Sequence, residues 1–152
     1  MATAPHPHSE TGGRALTCVV VTPERAVLDE PADFVALPMY DGELGVLPGR
    51  AALIGHLGPG ELRIRHGAHT QRFFIDGGFA QVRGDVVTVL TPQAQKAEDI
   101  DTAAASAALE ATQAVATTPQ AQEARLKAQE RARAQLRIAG RQSGDTPQGG
   151  GH

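Results

Sequence analysis

A single cysteine in 152 residues, Cys18, leaves no internal disulfide, and its place among Val19, Val20 and Val21 reads as buried packing. Long apolar runs are also missing. The longest, around Leu16 to Val21, is far short of the roughly 20 residues a helix needs to cross a bilayer. The N-terminus has neither the basic nor the apolar region of a secretion signal, so the expectation is a cytoplasmic chain. There is no phosphate loop ending in Gly-Lys-Ser/Thr, no G-x-G-x-x-G after a strand, no G-x-S-x-G elbow and no paired-cysteine metal motif. His6-Pro-His8 offers two ligands at a spacing poor for a metal, and His56, His66 and His69 are scattered over loops and strand ends as surface histidines. Asp76, Asp85 and Asp101 have no visible acid/base partner and read as turn or cap carboxylates. A catalyst, a resident cofactor and a bound metal are therefore not expected. A formal net charge of -3 argues against nucleic acid as a partner, although the charge is unevenly distributed.

What is present divides into two halves of different period. From Arg14 to Thr91, short runs rich in Val, Leu, Ile and Phe alternate with Pro and Gly, the pattern of a sandwich or barrel of short strands. Leu62-Arg63-Ile64-Arg65 alternates apolar with charged, and Gly67 lies in the turn before Gln71-Arg72-Phe73-Phe74-Ile75 returns, which makes a hairpin. Gly84-Asp85 marks a second tight turn between Phe79–Val82 and Val86–Leu90. Gly77-Gly78 marks either a bulge or a close approach of backbones. Asp41-Gly-Glu-Leu-Gly-Val-Leu-Pro-Gly-Arg50 packs turn formers around one acid, so Glu43 is expected on a stiff exposed loop.

After Ala97 alanine replaces the β-branched residues and the period becomes helical. Ile100, Ala103, Ala104, Ala107, Ala108, Ala111 and Val115 make one stripe, with Asp99 or Asp101 as the cap. Thr117-Thr118-Pro119 breaks the helix. A second stripe follows at Ala121, Ala124, Ala128, Ala132, Leu136 and Ala139, with Gly140 as the stop, and the short break folds the pair into an antiparallel hairpin. Burying an alanine methyl yields only about 0.8 kcal/mol against roughly 2 to 3 for leucine, so the hairpin is weakly held. Glu98, Asp99 and Asp101 open the first helix, whereas Arg125, Lys127, Arg131, Arg133, Arg137 and Arg141 make the second basic, both suited to the helix dipoles. Such an element can detach and rebind elsewhere at little cost; a passive helical tail is equally open from composition.

Taken in order, Val19–Arg25, Asp41–Gly49, Pro59–Ile64, Phe73–Val82, Val86–Leu90 and Ala134–Ile138 form a set that closely resembles the epsilon subunit of bacterial F-type ATP synthases. The resemblance implies an all-β sandwich of about ten short strands followed by a C-terminal antiparallel two-helix hairpin. It implies a non-catalytic central-stalk subunit that binds the gamma subunit and the c-subunit ring, peripheral to the cytoplasmic face of the bacterial inner membrane and membrane-associated only through the complex. By similarity Glu43 and Arg50 face the c ring, with Arg50-Ala51-Ala52 standing where the family often has His-Ala-Pro. The hairpin, with Asp101, Arg125, Arg131, Arg133 and Arg137, is implied to swing up to the alpha and beta subunits and inhibit ATP hydrolysis. Some relatives bind ATP through Ile/Leu-Asp-x-x-Arg-Ala; here the stretch is Ile100-Asp101-Thr102-Ala103-Ala104-Ala105, without the arginine. The expected organisation is a flexible extension at 1–13, a rotor-binding sandwich at 14–95, a regulatory hairpin at 96–140 and a flexible tail at 141–152. The competing expectation is a stand-alone β-sandwich ligand-binding module with a helical oligomerisation tail.

Overall fold

A computed structural model describes residues 15–113 and 116–144, with side chains to 140. The two terminal extensions, apart from residues 141–144, and Val115 of the first stripe lie outside the described residues. The strands are β1 (Leu16–Val21), β2 (Ala26–Ala32), β3 (Phe34–Met39), β4 (Gly42–Val46), β5 (Leu53–His66), β6 (His69–Arg83), β7 (Val86–Leu90) and β8 (Ala94–Lys96). A 3-10 turn at Ala97–Asp99 leads to α1 (Thr102–Ala111) and α2 (Pro119–Gly144). The strand order is β2-β1-β7-β6-β5-β3-β4, with β8 also paired to β6.

Among the described residues eight strands stand where about ten were expected, because β5 and β6 run unbroken past the glycines that punctuate them. Their ladder keeps one register from Leu53↔Val82 to His66↔His69, so Gly77-Gly78 is no bulge. The inward-facing set nevertheless changes parity. On β5, Leu53 and Leu57 pack toward the core and then Leu62 and Ile64 do; on β6, Phe73 and Ile75 are followed by Ala80 and Val82. Positive φ at Gly77 (81°) and Gly78 (112°) turns the chain over by one residue, at conformations costly for residues with a Cβ. A Cβ on Gly78 would stand 2.0 Å from the Leu90 carbonyl oxygen, which identifies the pair as a close backbone approach. The two long strands thus serve both layers, and the core between them gathers Leu16, Cys18, Val20, Val35, Leu37, Val46, Leu62, Ile64, Phe73, Ile75, Val82, Val87 and Val89.

Asp101 caps α1, its carboxylate accepting from the Ala104 N–H at 3.0 Å. Thr118 does the same for α2, accepting from Ala121 at 3.0 Å with Pro119 in the first turn. The stripe expected on α1 is rotated: Ala103, Ala104, Ala107, Ala108 and Ala111 are exposed, whereas Ala105 and Thr112 are buried and Leu109 is half-buried. The reason is the weak contrast among alanines; the larger Leu109 sets which side of the helix turns inward. Gly140 does not stop α2, which continues to Gly144.

Candidate functional site

Three surfaces carry the residues of interest. On the outer face where β3, β4, β5 and β6 meet, side chains alternate in charge. Glu43 lies within β4, opposite Pro38 of β3, rather than on the loop expected from its glycines, which shape the ends of an edge strand instead. Ala36 opposite both Gly45 and Arg63 leaves room for the Arg63 guanidinium to reach Glu43 at 3.2 Å. Arg63 stands directly opposite Arg72, a like-charged cross-strand pair, and each has an acid partner: Glu43, reached across the intervening β3, for Arg63, and the diagonal Glu61 at 3.5 Å for Arg72. Arg50 is not brought to Glu43; it lies in the exposed loop after β4, whose backbone is tied down by the Gly49 N–H donating to the Asp85 carboxylate at 2.8 Å. Asp85 is therefore more than a turn residue, although its positive φ of 67° agrees with the tight turn at Gly84-Asp85.

The second surface is the seam between α2 and the sheet. Phe74, Ala97, Ile100, Ala134 and Ile138 form a buried cluster separate from the main core. Spacing at 131, 134 and 138 puts Arg131 on that same helix face, and its guanidinium meets Asp76 of β6 at 3.0 Å. Asp76, read from sequence as an isolated turn carboxylate, is thus a strand residue paired across 55 positions; no local pattern announces such a partner. Gln135 donates to Gln95 of β8 at 3.2 Å. Of the other hairpin residues, Arg125 donates to the Thr112 carbonyl oxygen at 3.2 Å and joins α2 to the end of α1, whereas Arg133 and Arg137 are exposed beside a cleft of about 480 Å³ that Met39, Tyr40, Gly58 and Pro59 also line. Asp101 stays at its cap, so the hairpin's acidic entrance and these arginines are not gathered into one site.

The third surface was missed from sequence. Past the parity change, the outward residues of β5, β6 and β7 include Ile54 (70% exposed), Phe79 (46%), Val86 (39%) and Leu90 (50%). Phe79 pairs with Leu90 and with His56, whose ring stands edge-on to it at 4.5 Å. Val19 and Val21 of β1, half-buried, extend this apolar face, since they pair with Thr88 and Leu90. The available signal was phase: once Ala80 and Val82 point inward, Phe79 must point out. Beneath it Cys18 is fully buried; burial pushes its thiol from 9.0 up to about 12, with Glu30 and Asp29 adding to the shift. Among the described residues no group of His, Cys, Asp and Glu is arranged to hold a metal, and no helix is long and apolar enough to cross a membrane.

The family pattern for the β-sandwich domain of the ATP synthase delta/epsilon chain matches residues 15–97. The ATP synthase epsilon chain of Rhodopirellula baltica is 52% identical over 126 residues, spanning 82% of this chain and 98% of that one. The epsilon chain of a Synechococcus strain is 39% identical over 123 residues, spanning 79% and 90%. Among solved structures, a chain of the Euglena gracilis mitochondrial ATP synthase assembly of OSCP, F1 and c ring shares the fold with a TM-score of 0.65 at 23% identity, over 93% of this chain and 94% of that one. A chain of the Tetrahymena thermophila mitochondrial central stalk and c ring does so at 0.62 and 14%, over 83% and 97%. The chain belongs to the delta/epsilon family of ATP synthase subunits.

Proposed function

We propose that this chain is the epsilon subunit of a bacterial F-type ATP synthase, a non-catalytic part of the rotor that joins the gamma subunit to the c ring at the cytoplasmic face of the inner membrane. The observation that carries the reading is the exposed apolar face of Ile54, Phe79, Val86 and Leu90, set on a rigid sheet and continued by Val19 and Val21. Large apolar side chains exposed together on one sheet face, here with Gln81, Arg83 and Thr88 between them, mark a docking surface, and aromatic residues at the centre of such a surface carry much of the binding free energy. Gamma is its partner. Glu43 and Arg50 are proposed to face the polar loops of the c ring. Glu43, half-exposed on an edge strand, is held in position by Arg63 rather than free to wander.

The hairpin is the regulatory element of this reading: released from its seam, α2 carries Arg125, Arg131, Arg133 and Arg137 to acidic surfaces of the alpha and beta subunits and blocks ATP hydrolysis. Its thin attachment supports this. Among the described residues Phe74, Ile100 and Ile138 are the large apolar side chains of the seam cluster, so gross burial there is on the order of 5 kcal/mol before the cost of ordering.

Two measurements test the proposal. Phe79→Arg should abolish co-elution with purified gamma on gel filtration while Tyr40→Arg, exposed but off that face, should not. A wild-type chain that ignores gamma would favour the stand-alone ligand-binding module instead. Truncation after Lys96 should leave rotor assembly intact and raise ATP hydrolysis by the host complex; with the hairpin gone Phe74 is bared, so a Phe74→Thr version keeps the truncated chain soluble. Unchanged hydrolysis would make the hairpin a passive tail.

A further inference from the structure

The seam between α2 and the sandwich is closed by buried apolar packing along its C-terminal half, where Ala134 and Ile138 meet Phe74, Ala97 and Ile100. Toward the helix start it opens. A cleft of about 520 Å³ lined by Tyr40, Leu57, Pro59, Pro92, Leu126 and Lys127, among others, separates the helix from the sheet, and Leu126 is left 53% exposed at its edge. Arg131 and Asp76 stand at the boundary between the closed and the open stretch, one helical turn before Ala134, and both also border that cleft. Apolar contacts are non-directional and tolerate sliding of an alanine-rich helix, whereas a 3.0 Å guanidinium–carboxylate contact fixes both the rotation of α2 and its position along the sheet.

Asp76 is itself rigidly placed. It pairs with Pro59 in the ladder, donates its N–H to the Gln93 carbonyl oxygen at 3.1 Å, and immediately precedes the strained Gly77-Gly78 turnover. With 21% of the Asp76 side chain and 42% of the Arg131 side chain accessible, the pair is sheltered enough to matter and wet enough to respond to salt. We propose that Asp76–Arg131 is the latch that holds the hairpin docked, and that its breakage is the step that frees α2; this rests on the reading of the hairpin as a detachable element. Arg131 then has two roles in sequence. Docked, its charge is held by Asp76; freed, it adds to the basic face offered to another surface.

The test uses the full chain with spin labels on cysteines placed at exposed Thr70 and Gln120, in a Cys18→Ala background, and reads the distance distribution by pulsed dipolar spectroscopy. A docked hairpin gives one narrow distance and a freed one a broad, longer tail. Asp76→Asn and Arg131→Gln should each lower the docked-to-released ratio roughly fivefold, the double variant should add little, and the exchange Asp76→Arg with Arg131→Asp should restore much of the docked population. Lys127→Gln, which removes only an exposed pair with Glu123 inside the helix, should change nothing. Raising salt from about 0.05 to 1 M should release the wild-type hairpin more than that of Asp76→Asn, since the Debye length falls to about 3 Å. If both single variants keep the wild-type distribution while Ile138→Asp releases the hairpin, the latch is wrong and the detachable hairpin stands. If Ile138→Asp fails as well, the hairpin is a fixed part of the fold and both readings fall.

Discussion

Replacing Gly78 with alanine should be among the most damaging single methyl additions in the sandwich. An ideal Cβ there lies 2.0 Å from the Leu90 carbonyl oxygen, 2.9 Å from Thr91 Cα and 3.0 Å from the Leu90 carbonyl carbon, where ordinary contact begins near 3.4 Å. All three obstacles are backbone, so no side chain can rotate away. Relief requires β7 to retreat by more than 1 Å just where Leu90 pairs with Phe79 and where the Thr91 N–H reaches the Val21 carbonyl oxygen at 3.0 Å. Losing or stretching one or two such bonds costs roughly 1 to 3 kcal/mol. The φ of +112° adds about 1 to 3 kcal/mol for a residue with a Cβ. A total on the order of 4 kcal/mol is a large part of the 5 to 15 kcal/mol typical of a small domain. Gly84→Ala supplies the control: its φ is +59° but nothing lies within 4 Å, so it should cost only about 1 to 2 kcal/mol. Urea unfolding followed by far-UV circular dichroism would measure both, and a Gly78→Ala variant no less stable than Gly84→Ala would refute the steric argument. Because Phe79 and Leu90 also belong to the proposed gamma-binding face, Gly78→Ala should weaken that association even at temperatures where it remains folded.

Glu43→Lys should impair coupling between proton flow and ATP turnover in reconstituted vesicles while lowering stability by no more than about 1 kcal/mol, because the pair with Arg63 is half-exposed; intact proton pumping would sink the c-ring assignment. Cys18 should resist alkylation in the native state at pH 8. Its folded pKa of about 12 lies above the unfolded 9.0, so its contribution to stability is fully present below about pH 9 and is lost as pH rises toward 12, at up to about 1.4 kcal/mol per pH unit; a flat stability profile over that window in comparison with Cys18→Ala would contradict the burial argument. The isolated chain should not bind ATP with micromolar affinity, which requires about 8 kcal/mol, since Ala104 offers an exposed methyl where relatives of the nucleotide-binding kind have a guanidinium. Calorimetric titration would detect such binding if present, and Ala104→Arg should strengthen whatever binding there is.

The fold was legible wherever residues differ strongly in hydrophobicity. Leu62 and Ile64 turn inward between Arg63 and Arg65 as their alternation requires, and the turns at Gly67 and Gly84-Asp85 stand where their residues demand positive φ. Alternation misled where it changed phase: at Gly58-Pro59-Gly60 and Gly77-Gly78 the inward set shifts by one on both partner strands, so a single ladder reads as separate short strands. Alanine hides helix phase because every face of α1 carries it, and Leu109 and Thr112 are what distinguish one rotation from another. Contacts such as Asp76–Arg131 and Glu43–Arg63 depend on tertiary proximity and leave no local trace. The arginines of α2 were visible as a basic helix, but which of them turns toward the sheet was not.

The parity change also divides labour along β5 and β6. On one side of it the outward residues Phe74 and Asp76 receive α2; on the other the outward residues Ile54 and Phe79 remain open. Had the alternation run unbroken, Ile75 rather than Phe74 would lie on the outward face continuous with Phe79, and Phe74 with Asp76 would turn inward. A carboxylate would then face the apolar core, at a cost of several kcal/mol unless it found partners there. Turning the strand over at Gly77-Gly78 avoids this and leaves two separate outward surfaces: a small seam that holds α2 and a broader exposed face, the one proposed to meet gamma. Because the two do not share side chains, freeing the hairpin need not loosen the rotor contact. The role proposed for α2, leaving its seam while the subunit stays bound, requires that separation, and in this chain two adjacent glycines provide it.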